Sequence, residues 1–217
     1  MKYLRYANWL SEVCHGNFGY SYANGQEVAT MLKERMPNTM RLFLVSFILI
    51  VTLSILVGLF AGLHPYSSIE KIITISCITF NGIPSVLVGV LLILLFSVCL
   101  GWLPSSGVTS MFSDTFGDRA VHLVLPVMTV IFSHIGSFSR FIQEGMKEEL
   151  DSYYVYVAKA NRMAKGDIYR GAMKNALVPF VNYVGTHVPS FFSGFVVVET
   201  VFAYPGLGNM IVNAIPE

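Results

Sequence analysis

An all-α membrane protein, folded as a polytopic helical bundle, is what the sequence predicts, and three observations carry that prediction. Of the 217 residues, 54% are hydrophobic and 12% charged, whereas soluble domains carry about a quarter charged residues; the mean hydropathy is +0.61. Four long stretches hold few or no charges. Seven of the 14 Lys and Arg residues crowd between Arg140 and Lys174.

Residues 1–41 hold five basic and three acidic side chains and no compact apolar core, so they are not a cleavable signal peptide. They read as an extracytoplasmic amphipathic segment. Residues 42–217 read as a transmembrane domain with spans at about 42–63, 72–100, 120–142 and 175–203, since about 20 apolar residues at 1.5 Å each cover a ~30 Å hydrocarbon layer. The basic cluster assigns the 143–174 loop to the cytoplasm, because Lys and Arg are retained on that side. Lys33, Arg35 and Arg41 stand just before the first span and oppose that orientation. A further helix upstream would resolve the conflict, so the sequence is expected to be part of a longer protein.

The second apolar stretch is longer than a straight span needs, and Gly82 and Pro84 interrupt it; a kink or break is predicted there, because Pro removes a backbone donor and clashes with the preceding turn. Asn81 and Ser85 beside the break, with Ser133 and Ser193 on other spans, are candidates to line a polar pathway. The competing reading is that such small polar groups pack helix against helix. Pro126, Gly136, Pro189 and Gly194 are expected to interrupt their spans in the same way. Cys77 and Cys99 lie about 33 Å apart along a helix, too far to bridge, and read as buried small hydrophobes.

The 32 residues of 143–174 exceed the roughly 2 to 8 that a helix connection needs, which points to a docking device. Gly166 followed by Asp167 predicts a helix stop and a new N-cap there, giving two short helices near the membrane surface. One face offers Val155, Ala158 and, a turn later, Arg162 and Lys165, and small Ala158 and Ala160 permit a partner's backbone to approach closely. A basic connector lying on anionic lipid is the alternative.

The run "YYVYVAKANRMAKGDIYRGAMKNALVPF", followed by "GFVVVETVFAYPGLGNMIVNAI", together with "GIPSVLVGVLLILLFSVCLGWLPSSG" and "HLVLPVMTV", closely resembles the permease subunits of bacterial ABC importers of the dipeptide, oligopeptide and nickel type. The resemblance covers essentially the whole chain. It implies the all-α bundle of that permease type, a multi-pass location in the bacterial plasma membrane, and a cytoplasmic coupling helix seated in a separate ATP-binding subunit. Tyr156, Val157 and Ala158 fall on the family's EAA positions, of which only the second alanine is kept, and Ala160 and Asn161 continue the contact surface. The glycine that normally follows is Arg162, so Gly166 is the expected substitute for the turn. The partners implied are ATP-binding subunits, a second permease subunit, an extracellular solute-binding protein and the bilayer. Helices upstream and downstream of this chain are implied as well.

Net charge is only +1, which gives no reason to expect a nucleic-acid partner. No GxxxxGK[ST] loop occurs, so ATP and Mg are expected in the partner subunit, with no cofactor in this chain. His64, His122, His134 and His187 form no metal-ligand spacing, and no catalytic residue is proposed. His134 and His187 fall within spans, where hydrogen-bonded neutral histidines are the simpler reading. Glu199 is the carboxylate nearest a span interior and is assigned to the outer mouth, more as an anchor of the stretch after it than as a substrate contact. A secondary transporter would carry mid-membrane charges for ion coupling; a membrane-anchored enzyme would need a catalytic constellation.

Overall fold

A computed structural model describes residues 2–22, 25–110 and 115–214. Helices α1 (Lys2–Cys14), α2 (Val28–Leu63), α3 (Ser68–Gly82) and α4 (Ser85–Leu92) lead into a π-helical turn and a half, Ile93–Cys99. Then come α5 (Phe116–Leu150), α6 (Tyr153–Ala160), α7 (Lys165–Val201) and α8 (Leu207–Asn213). An isolated bridge pairs Tyr20 with Glu27.

Three helices of 35 to 37 residues, α2, α5 and α7, form the frame. Each is about 52 to 56 Å long, so each outruns the ~30 Å hydrocarbon layer. By length and composition α2 and α5 can each cross a membrane, and the bent pair made by Ser68–Gly82 and Ser85–Cys99 supplies a third crossing if taken as one. The longest helix, α7, has the length but is more polar, with Asn182, Thr186, His187, Ser190, Ser193 and Glu199 along it.

Helices α2 and α5 approach each other closely along their backbones. A buried row on α2, Ser46, Ile50, Ser54, Gly58 and Gly62, turns small residues toward α5. A Cβ added at Gly58 would stand 2.5 Å from the Ser139 carbonyl oxygen, and one at Gly62 2.7 Å from Met146 Cβ. In a bilayer, where lipid is as apolar as leucine, such backbone-to-backbone packing drives association. Both helices meet α7 through aromatic side chains. Phe43 and Phe47 of α2 meet Phe191 edge-on, and Phe141 stacks on Tyr183 at 4.2 Å. Phe138 meets Phe180, Tyr183 and Phe191, so α5 and α7 share one aromatic seam.

The predicted break falls at Ile83 and Pro84, and it is sharper than a kink, a bend of 100°. After it, α4 lies with Gly89 against Val201 of α7 and Phe202 just past its end. The other predicted interruptions do not occur: α5 runs unbroken through Pro126 and Gly136, and α7 through Pro189 and Gly194. The role of Gly136 is packing, because a Cβ there would collide with the Cys77 carbonyl of α3. Below that contact, buried Gln143 of α5 donates through Nε2 to Glu70 Oε1 at 2.7 Å and to Thr74 Oγ1 at 2.9 Å, tying α3 to α5. Cys77 is buried as expected, but Cys99 is exposed on the π-helical segment; both are free thiols.

Candidate functional site

The 143–174 stretch is mostly not loop. α5 continues to Leu150 and α7 begins at Lys165, because charged residues beyond the bilayer are good helix formers even though they end the hydropathic signal. Between them stands α6, eight residues long, entered at Ser152 and left at Asn161. It is held from three sides. Val155 is fully buried, α6 packs along α7, and Glu149 of α5 accepts hydrogen bonds through Oε2 from Tyr154 Oη at 2.7 Å and Asn175 Nδ2 of α7 at 3.1 Å. Burial and the adjoining Glu149 carboxylate raise the Tyr154 hydroxyl above the usual tyrosine range.

This seating takes Val155 out of the face predicted to dock and leaves Arg162 and Lys165 of that face exposed. Val155 turns inward and Ala158 is half-buried, whereas Tyr153, Tyr156, Val157 and Ala160 face out. Tyr156 is 70% exposed and Tyr153 80%, their rings stacked at 6.4 Å. Asn161 and Arg162 are exposed too. Helical periodicity could not choose between the faces, since both carry apolar and small residues.

The turn also differs from expectation. Gly166 does not supply it: α7 starts at Lys165 after Ala164, so Gly166 lies in its first turn, where an added Cβ would meet nothing within 4 Å and the backbone is not left-handed. Arg162 itself takes the left-handed conformation, at φ +58°. For a non-glycine residue this costs roughly 1 to 2 kcal/mol. The hairpin therefore keeps its shape without a glycine.

At the opposite end, Glu199 is fully buried. Its Oε1 accepts from Thr39 Oγ1 of α2 at 2.6 Å and its Oε2 from the Asn209 amide at 3.1 Å. Thr39 Oγ1 in turn accepts from the Leu207 amide at 2.8 Å, and Asn38 Nδ2 donates to the Pro205 carbonyl at 2.9 Å. The chain reverses at Ala203, φ +44°, and a Cβ on Gly206 would fall on the Glu199 carboxylate. Glycines at 206 and 208 thus let the backbone wrap a buried carboxyl. Thr39 and Asn38, which sequence reasoning left outside the first span, complete this latch; a polar pair upstream of an apolar run gave no signal of a partner some 160 residues away.

The four pathway candidates do not meet. Asn81 is exposed and accepts from Ser137 Oγ at 3.1 Å. Ser133 and Ser193 each donate to a carbonyl of their own helix, Thr129 and Ser190, and Ser85 lies past the bend. His134 and His187 likewise bond Nδ1 to the carbonyls of Val130 and Tyr183, four residues back. Both rings pack on aromatics, His134 on Phe191 at 4.3 Å and His187 on Tyr183 at 4.0 Å. These are satisfied histidines of the bundle. Among the described residues no three His, Cys, Asp or Glu side chains gather to hold a metal.

Apolar helices long enough to cross a bilayer, with a short helix seated at one end, define a multi-pass helical membrane protein. Residues 54–216 match the family of binding-protein-dependent transport system inner membrane components, and the chain belongs to that family. It is thereby a protein of the bacterial plasma membrane. Similar proteins include the oligopeptide transport system permease protein AppB of Bacillus subtilis, 34% identical over 98% of this chain and 68% of the relative. The metal-staphylopine import system permease protein CntB of Staphylococcus aureus is 30% identical over 99% of this chain and 66% of its own length. The oligopeptide transport system permease protein OppB of Haemophilus influenzae is 29% identical over 97% and 67%. The chain thus spans about two thirds of the length of these relatives.

Proposed function

We propose that this chain is a pore-forming permease subunit of an ATP-driven importer of peptides or related small solutes, with no catalysis of its own. ATP and Mg are handled by separate ATP-binding subunits that receive α6; a second permease subunit completes the pore, and an extracellular solute-binding protein delivers cargo. The observation that carries this reading is the seating of α6: an exposed apolar surface of Tyr153, Tyr156 and Val157 on a helix pinned to both α5 and α7. Driving a two-state pore from 1:99 to 99:1 takes about 5.5 kcal/mol of differential binding, and a loosely held helix would dissipate it. Force on α6 reaches two frame helices through Glu149, and α5 carries it to α3 through Gln143 and Gly136. Tyr156, Val157, Ala160, Asn161 and Arg162 form the docking surface, with Ala158 at its edge.

In this arrangement the α6 end is cytoplasmic and the Glu199 latch lies at the outer mouth, where it fixes the stretch after α7 rather than touching cargo. Asn81, with Ser137, is the pathway position we favour, because it is a polar pair beside the bend of the broken crossing. The test is Val157→Asp in the permease co-expressed with the ATP-binding subunit encoded nearest to it. Loss of copurification, with thermal unfolding in detergent unchanged, is the expected result. Undiminished copurification refutes the docking assignment, and uptake into proteoliposomes that follows an ion gradient without ATP refutes the importer class.

A further inference from the structure

The hairpin turn carries a charge pattern that the docking of an apolar helix does not require. Lys159, Arg162 and Lys165 follow one another at three-residue steps around the turn, all exposed. Among the described residues none of the three lies within 4.0 Å of a carboxylate, whereas Arg140, at the other end of the basic cluster, is paired with Glu144. Arg162 also sits where the backbone is left-handed, a conformation glycine adopts freely and arginine does not. A strained residue kept at an exposed position is an outlier from which function can be inferred.

Resting on the docking reading above, we propose that the surface receiving α6 on the ATP-binding subunit is acidic, and that Arg162 is the residue of this chain that selects for it. Tyr156 and Met163, 70% and 52% exposed, put apolar surface on the same hairpin as Arg162. The contact therefore has the usual anatomy, an apolar centre edged by charge that sets partner choice and encounter rate. Arginine suits the role because its planar fork engages a carboxylate through two hydrogen bonds. Lipid phosphate is the weaker candidate on position. Lys165 precedes Asn175, where the apolar run begins, by ten residues of continuous helix, or about 15 Å. The headgroup layer is only about 5 to 8 Å deep on each side, so the turn stands beyond it.

The experiment uses permease in nanodiscs of phosphatidylcholine, titrated with the ATP-binding subunit encoded nearest to it, at low and near-molar KCl. Arg162→Glu is expected to weaken binding by at least about tenfold at low salt, and Arg162→Gly, which relieves the backbone and deletes the charge, by about two- to fivefold. Wild-type affinity falls toward that of Arg162→Gly at high salt, where the Debye length shrinks to about 3 Å. Thermal unfolding in detergent confirms that both variants fold. Unaltered binding by both, with no salt dependence in the wild type, overturns the acidic surface. In that case loss of binding by Val157→Asp still upholds docking through α6, whereas its retention there overturns docking itself. An effect of Arg162→Glu seen only in discs rich in phosphatidylglycerol overturns the proposal in favour of lipid.

Discussion

Thr39→Val tests the latch at the outer end with the least change of shape. Valine matches threonine in volume, so packing is kept while two hydrogen bonds go: Thr39 to Glu199 at 2.6 Å and Leu207 to Thr39 at 2.8 Å. The first is a bond to a buried carboxyl, worth about 1.5 to 3 kcal/mol, and the second leaves a backbone amide without its partner, at about 1 to 3 kcal/mol. Relaxation will recover part, and about 3 kcal/mol is the net loss expected. For a chain of this size 1 kcal/mol moves the midpoint by about 2 to 4 °C, so Tm in detergent falls by about 6 to 12 °C. Hydrogen exchange gives the local readout, with faster exchange at Leu207 and Asn209 and no change in the α2–α5 interface around Gly58. Thr39→Ser keeps both bonds and should retain most of the stability. A Thr39→Val protein with wild-type Tm and unaltered exchange at Leu207 would refute the latch.

Gly136→Ala places a methyl group on the Cys77 carbonyl, and because backbone cannot yield as a side chain can, a loss of about 1 to 3 kcal/mol is expected, read as a lower Tm and weaker protection of α3. Val155→Asp buries a carboxylate where the wild-type side chain is fully enclosed and should unfold α6, whereas Val157→Asp, outward-facing, should leave Tm unchanged; circular dichroism and melting of the two variants side by side check this. Glu149→Gln should lower the Tyr154 titration toward the usual tyrosine value, followed by NMR of ring-labelled tyrosine. Because the folded-state pKa of Tyr154 is raised, its neutral form favours the fold: that contribution is complete below pH ~10, is lost as pH rises through the folded value, and shrinks in Glu149→Gln.

Composition and the uncharged runs were enough to read an all-helical membrane bundle, since continuous apolar runs of about 20 residues fit membrane helices and not the short alternating strands of a barrel. The break at Gly82 and Pro84 was legible for the same local reason, a missing donor and a missing side chain close together. Hydropathy, however, reports where the bilayer ends and not where a helix ends. That is why α5 and α7 run well past their apolar cores, and why α2 begins at Val28. Pro126 and Pro189 show the limit of the breaker rule, because neighbouring helices support a frame helix through a proline that would end it in isolation.

By itself the sequence determined that this chain lives in a membrane, that its basic stretch belongs outside the lipid, and that Glu199 and the Arg162 hairpin are its chemically unusual points. Only the tertiary structure decided which face of α6 is free, that Arg162 rather than Gly166 turns the chain, and that Thr39 and Glu199 form a hydrogen-bonded pair. The reason is one of range. Solvent transfer and backbone propensity act residue by residue and are written along the chain, whereas the choice of a partner far away in sequence is made by packing, which no single stretch contains.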